Sequence, residues 1–323
     1  MPGFSSSLYR FPDNAAVEAS LLEMELSGSL ESPAVGLSAA FICPPQAGVG
    51  PIGEIKEAHI HRDGETIFMG RVDKQRVSQN AKGSILRLEC RSKGALLLDN
   101  EARPASYFNV DADTVFAVHI APYGFRLRNP GGNKNKYLPA YTVRKGMSEW
   151  EAFCAFASRA YGIAPYAKGT EIILAPPESA SPGILISNSG AGEKFEGLEY
   201  SFTPYNMISR IYLRDALGSY SSAVDNPIAG YYGIERKRYM IPPGSFIESG
   251  GADAISRVKS SLLAREDIQV TLPGIIGAEL GQRAGIDGAM GIFEKYGLMV
   301  GEWTYKMGKS GYRTILKLIR TDG

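Results

Sequence analysis

From Ala19 to Cys43 apolar and polar residues alternate with a period of two, and this period limits the fold more than any other feature of the sequence. Leu22, Met24 and Leu26 stand on one face, opposite Glu23 and Glu25. After a turn containing Pro33 the pattern resumes with Val35, Leu37, Ala39 and Phe41. Side chains at i and i+2 share a face only in a strand, so an antiparallel pair with one buried and one wet face is expected. Glu54 to Ile60 and Thr66 to Met69 flank Arg62-Asp63-Gly64, where Asp-Gly supplies the positive φ angles of a tight hairpin turn. Gly70-Arg71-Val72-Asp73 opens a further alternating run to Val77. Asn80-Ala81-Lys82-Gly83 then turns the chain into Ile85, Leu86, Leu88 and Cys90. About six strands precede residue 92, enough to close a small barrel or sandwich.

Beyond that point the periodicity changes. Ser92 is placed to cap a short helical turn through Ala95, Leu96 and Leu97, which the Asp99-Asn100-Glu101-Ala102-Arg103-Pro104 segment ends. Val115–Ile120 and Phe125–Leu127 read as strands, and Asn129–Lys136 as an exposed loop. Ser148-Glu149-Trp150-Glu151 fits a capping box, and Trp150, Phe153, Cys154, Ala157 and Ala160/Tyr161 recur at helical spacing. Tyr141-Thr142-Val143 before this helix and Glu171–Ala175 after it complete a strand-helix-strand module. Ile184–Ile186 is a brief strand inside the Ser179–Gly192 connection. Further strands are expected at Phe195–Phe202, Met207–Leu213, Tyr231–Tyr239, Ile268–Leu272, Leu298–Tyr305 and Tyr312–Ile319, with an amphipathic helix at Ala252–Ala264. The last two strands meet at a Lys309-Ser310-Gly311 turn.

A chain of 323 residues exceeds one compact core. The expected organisation is a β-rich domain at 1–98, a connecting region at 99–140, a small α+β module with its linker at 141–190, and a second β-rich domain at 191–323 interrupted by helix 252–264. Gly 37 and Pro 19, scattered without a period, fit many short strands and turns.

Several functional classes find no support. Lys+Arg 35 against Asp+Glu 34 leaves a net charge of +1, so no global field draws the chain to nucleic acid or to an anionic membrane. No run of about 18 apolar residues occurs, and the Met1-Pro2-Gly3-Phe4-Ser5 start is not that of a secretory signal, so folding in the cytoplasm is expected. Cys43, Cys90 and Cys154 are odd in number and lack CxxC spacing, which suits reduced, buried thiols. GxSxG, GxxxxGK[ST] and HExxH are all absent. His59 and His61 share a strand face that suits a metal in geometry, but no third ligand accompanies them and a solvated face beside Glu57 explains them. His119 stands alone and reads as structural. The carboxylate pairs Asp111/Asp113 and Glu23/Glu25 read as solvated, and Gly190-Ala191-Gly192 as a hinge rather than a dinucleotide loop. Arg236-Lys237-Arg238 among Tyr231, Tyr232 and Tyr239 is the most nucleic-acid-like cluster, with a solvated strand face or a subunit contact as the favoured reading. No catalytic, cofactor-binding or metal residue is assigned, no cofactor is expected, and the chain is read as a non-enzyme.

A family resemblance joins these pieces. Asp63-Gly64-Glu65-Thr66-Ile67-Phe68-Met69-Gly70-Arg71-Val72-Asp73, followed by Leu98-Asp99-Asn100-Glu101-Ala102-Arg103-Pro104, resembles the baseplate hub proteins of contractile phage tails, including the late-control-protein D group. Tyr141–Trp150 looks like the opening of a LysM module, with Met147 in place of the usual Asp and one clear helix following. Ser209–Leu213 and Ala264–Gly274 follow the family's second barrel. The resemblance implies an α+β, mainly β fold: two tube-like antiparallel β-barrel domains with a small inserted LysM-like module. It implies a homotrimer whose six barrels form a pseudo-hexameric ring between tail tube and central spike, located in the virion tail baseplate and assembled in the host cytoplasm. Implied partners are the tube protein or a tube-baseplate adaptor, the spike, baseplate wedge proteins and the tape measure protein. The genome would pass through the lumen without specific binding, and no membrane partner is implied. The competing reading is a LysM-type protein that binds peptidoglycan.

Overall fold

The computed structural model describes residues 3–17, 19–43, 53–80, 83–130, 136–177, 181–241, 247–287 and 297–321. The first β unit contains β1 (Phe4–Arg10), β2 (Ala16–Val17), β3 (Ser20–Ser29), β4 (Gly36–Cys43), β5 (Ile55–Arg62), β6 (Glu65–Asn80) and β7 (Gly83–Ser92). Asp63 and Gly64 adopt φ of 51° and 88°, so the expected Asp-Gly turn joins β5 to β6. Gly70 does not open a new element but lies within β6, where a Cβ would stand 2.3 Å from the Phe68 ring and 2.6 Å from the Arg91 carbonyl oxygen. Glycine there lets β6 cross closely over β7. Residues 81 and 82 of the expected turn after β6 lie outside the described residues.

A separate core follows. It is built by α1 (Ala95–Asp99), β8 (Ala105–Val110), α2 (Ala112–His119), β9 (Arg126–Arg128), β10 (Leu138–Val143), α3 (Glu149–Tyr161), β11 (Tyr166–Lys168) and β12 (Glu171–Ile173). The capping box at Ser148 and Glu151 is present, and Trp150, Phe153 and Phe156 are buried. Two sequence expectations fail here. Val115–His119 is helical in α2, with Ile120 as its C-cap, because Asp111 caps the helix start by accepting from the Thr114 N–H at 2.9 Å. α1 starts at Gly94 without a side-chain cap, and the Ser92 hydroxyl instead accepts from the Val35 N–H at 2.9 Å. Residues 99–140, expected to connect, share one apolar core with 141–177: Leu97, Val115, Tyr141, Phe153 and Leu174 belong to the same cluster. The loop expected at Asn129–Lys136 falls partly outside the described residues, since 131–135 are not among them.

The third region begins with β13 (Ile184–Ser187) and β14 (Gly197–Phe202) and ends with β18 (Glu266–Pro273), β19 (Arg283–Asp287), β20 (Leu298–Gly308) and β21 (Gly311–Arg320). Between β14 and β18 the chain leaves this unit. It makes β15 (Arg210–Leu213), β16 (Ser222–Asp225), α4 (Pro227–Tyr231), β17 (Lys237–Met240) and α5 (Ile247–Leu263). These strands form their own sheet in the order β16-β15-β17. Tyr231–Tyr239 is therefore not one strand. Asn226 accepts from the Ile228 and Ala229 N–H groups with Pro227 as the next residue, a helix start that precedes the run. α5 backs the small sheet, with Ala254 and Val258 against Ile211, Leu213 and Met240.

The two outer β regions share one sheet. Its order is β14-β18-β21-β20-β3-β4-β7-β6-β5-β1-β2, with β19 also on β20 and β13 beside β19. β20 pairs antiparallel with β3 from Glu302↔Ser29 to Met307↔Met24. One face of this sheet wraps two apolar cores, one around Leu26, Phe41, Ile60 and Leu86, the other around Ile186, Val270, Val300 and Leu316. Burying alternate residues of so many strands is the main driving force for this arrangement.

Candidate assembly surfaces

The seam between the two β units is built from β3, β20 and the loop after β18. Gly28 sits opposite Trp303, and a Cβ there would lie 2.8 Å from the indole ring. Trp303 packs against both cores and stacks on Tyr305 with ring centroids 4.5 Å apart. The Tyr305 hydroxyl accepts from the Ala278 N–H at 3.0 Å, and burial pushes this phenol's pKa up. Thr314, fully buried, accepts from the Ile276 N–H and donates to the Gly274 carbonyl. From the first unit, Arg62 donates to the Ile275 carbonyl at 3.1 Å. These contacts make the two β units one wall.

The other face of that wall is polar. Period two puts Glu23 and Glu25 there, and the register adds Lys306, Arg313 and Lys317. Opposite charges meet across strands: Lys306 to Glu25 at 2.9 Å, Lys74 to Glu89 at 2.9 Å, Lys317 to Asp267 at 3.6 Å and Arg313 to Glu196 at 2.7 Å. Exposed pairs add only about 0–1 kcal/mol each, so their main effect is to cancel charge along the face. His59 and His61 lie on it as well. His59 contacts Glu57 at 2.8 Å, and His61 lies between the Ser7 and Thr66 hydroxyls at 3.2 and 2.9 Å. Among the described residues no group of three ligand-type side chains is placed to hold a metal.

His119 does not stand alone. Its Nδ1 lies 2.6 Å from Glu149 Oε2 and its Nε2 2.9 Å from the Tyr107 hydroxyl, while Tyr123 donates to Glu149 Oε1 at 3.2 Å. With Nδ1–H donating to the carboxylate, Nε2 accepts from Tyr107, so the buried polar atoms are satisfied. Burial and then the Glu149 charge push the Tyr107 phenol up. This network pins α2 to α3. Asp111 is the α2 cap and Asp113 lies in its first turn, so neither belongs to a catalytic pair. The cysteines are free thiols. Burial, with Asp73 adding to it, pushes Cys90 up to about 12, where a thiol is not a nucleophile at neutral pH.

The expected strand-helix-strand order at 141–177 is present, but its strands do not pair with each other. β10 pairs with β8, whereas β12 pairs with β11 and, in parallel, with β9.

Arg236, Lys237 and Arg238 lie at and before β17, on the small sheet. The open face of that sheet carries Tyr212 stacked on Tyr239 at 5.1 Å, Tyr220 edge-on to Tyr239, and Arg210 over Tyr212 and paired with Asp225. Tyr205, Tyr231 and Tyr239 are 72%, 85% and 64% exposed, and Leu217 at the β15–β16 turn is 94% exposed. Apart from Leu217, these exposed side chains are aromatic, whereas those of the large sheet's open face are mainly charged. The basic run was visible in the sequence; the Tyr212–Tyr239 ladder was not, because it depends on parallel pairing of segments far apart in the chain.

No protein-family model matches this chain, and no curated protein matches it in sequence. Solved structures do match. A tail protein from Neisseria meningitidis MC58 superposes with a TM-score of 0.76 at 14% identity, covering 99% of this chain and 97% of that one. The 43 kDa tail protein of prophage MuSo2 from Shewanella oneidensis gives 0.77 at 13% identity, covering 99% of each. This chain has the fold of a phage tail protein. The tail fold extends to the E. coli c3393 protein, described as a type VI secretion component similar to the T4 tail proteins gp27 and gp5. Its TM-score is 0.58 at 12% identity, covering 98% of this chain and 76% of that one. The expected mainly β architecture is thus the observed one.

Proposed function

We propose that this chain is a structural baseplate hub of a phage or phage-like tail, a homotrimer whose ring joins tail tube to central spike. The observation that carries this reading is the single sheet that crosses both β units through β3 and β20, apolar on one face and charge-paired on the other. Three copies would place six β units around an axis, with the charge-paired face toward the lumen. A wall that presents balanced charge neither traps nor repels a polyanion strongly, which suits passage of a genome without binding. The apolar cores are satisfied within each chain, so assembly relies on rims and inserted domains. In this reading the protein catalyses nothing and acts by shape. Its partners are the tube or an adaptor, the spike, the wedge proteins and the tape measure protein, and it resides in the virion tail after assembly in the host cytoplasm. Light scattering on the purified protein, with negative-stain images of the same peak, tests this. A particle of three times 34.9 kDa with a central hole is expected. A monomer that persists at high concentration and shows no ring would contradict it.

A further inference from the structure

The three-stranded sheet β16-β15-β17 has a free edge at β17 and an open face beside it. In this parallel pair Ser209 donates to the Arg236 carbonyl and Arg214 to the Met240 carbonyl. Even-numbered positions of β17 therefore face β15, and the backbone N–H and C=O of Lys237 and Tyr239 point away from the sheet. No strand pairs with that edge among the described residues. Such an edge is a template for an added strand.

We propose that the β17 edge takes an extended acidic segment of another polypeptide as a fourth strand. The charge decides the occupant. Lys237 and Arg238 are exposed at the edge, with Arg236 just before them. A second copy of β17 would bring like charges together, which is destabilising for directly opposed strand residues. An acidic strand meets them with opposite charge and pairs with the outward backbone groups, taking the Lys237 carbonyl over from the Arg238 guanidinium that donates to it at 2.9 Å. Tyr239, stacked on Tyr212, gives such a strand an apolar surface to cover on the open face. Nucleic acid fits less well. The two tyrosines stack on each other, leaving no gap for a base, and Arg210 and Arg236 are already engaged, with Asp225 and with the Tyr205 and Asn206 carbonyls. The proposal stands apart from the trimeric ring, since it concerns only the insert between β14 and β18.

The test uses the full-length protein and a short fluorescent peptide alternating Glu and Val, with its Gln/Val counterpart and an oligo-dT strand as controls. Binding is read by anisotropy, and amide hydrogen exchange is followed at β17. The proposal expects the Glu/Val peptide to bind, the Gln/Val peptide to bind at least about tenfold more weakly, and the Lys237 and Tyr239 amides to gain protection. The double charge reversal K237E/R238E, at exposed positions, should lower affinity for the acidic peptide about tenfold or more while leaving the circular dichroism spectrum unchanged. The milder Y239S should weaken both peptides. No binding of the acidic peptide, binding without protection at β17, or binding of oligo-dT alone would overturn the proposal.

Discussion

The large and the small sheet of this protein present open faces of opposite character. On the large sheet, acidic and basic side chains meet across neighbouring strands, and its two apolar cores lie on the other side. On the small sheet the open face is a tyrosine ladder beside a basic edge, and among the described residues five buried side chains, two of them from α5, form the core behind it. A cancelled, polar face resists docking; an aromatic face beside unpaired backbone favours it. The difference teaches that sheets of different size in one chain carry opposite surface chemistry, a charge-cancelled wall on the large one and an aromatic face with a basic edge on the small one.

The comparison breaks first at the seam. Trp303→Ala removes the ring that packs on both cores and covers Gly28, and should cost about 3–5 kcal/mol in a urea titration, because the surrounding strands cannot collapse into the space. If the loss were under about 1 kcal/mol, the two units would be independent of this contact. A somewhat smaller effect is expected at the middle domain. Glu149→Ala leaves the buried His119 N–H and the Tyr123 hydroxyl without their acceptor and should cost about 1–3 kcal/mol, with the lost near-ultraviolet signal of the aromatic cluster as a second readout.

The junction between the two sheets should respond to acid. Glu266, at the start of β18, is opposed by its burial, yet hydrogen bonds and charge from Arg320, with Tyr200 and Arg265 adding to them, hold its carboxyl below the usual carboxylate range. A depressed pKa stabilises the fold above the unfolded carboxylate's range, and that stability is lost as pH falls through the folded value. Unfolding midpoints should therefore drop on acidification, and Glu266→Gln should flatten that dependence while lowering the midpoint at neutral pH. An unchanged pH profile in the variant would remove Glu266 from the account. The smallest effect is expected on the small sheet: Tyr239→Ala, at an exposed site, should change stability by no more than about 0.5 kcal/mol. A large loss there would mean that the ladder holds the fold rather than serving contact.

How far these features could be read from the sequence depended on their range. The Asp63-Gly64 turn and the Ser148–Glu151 capping box were legible because their causes lie within four residues. Val115–Ile120 misled because a short, largely apolar run has no decisive period, although Asp111 already marked a helix start. The insert between β14 and β18 escaped notice because β15, β16 and β17 are four residues each and β15 pairs in parallel with a distant segment. The pairing of β3 with β20 joins segments from opposite ends of the chain, and no local pattern names a strand's partner. Of the surfaces, the Arg236–Arg238 run was visible and the charge-paired rows were not, since each pair needs the register of two strands.

The central claim is that the charge-paired face of the large sheet lines a lumen. A cryo-electron-microscopy reconstruction of the purified ring tests it directly. The account predicts a threefold particle in which Glu25, Lys306 and Lys317 face the central channel. The same side chains on the outer surface, or a particle without a channel, would contradict it.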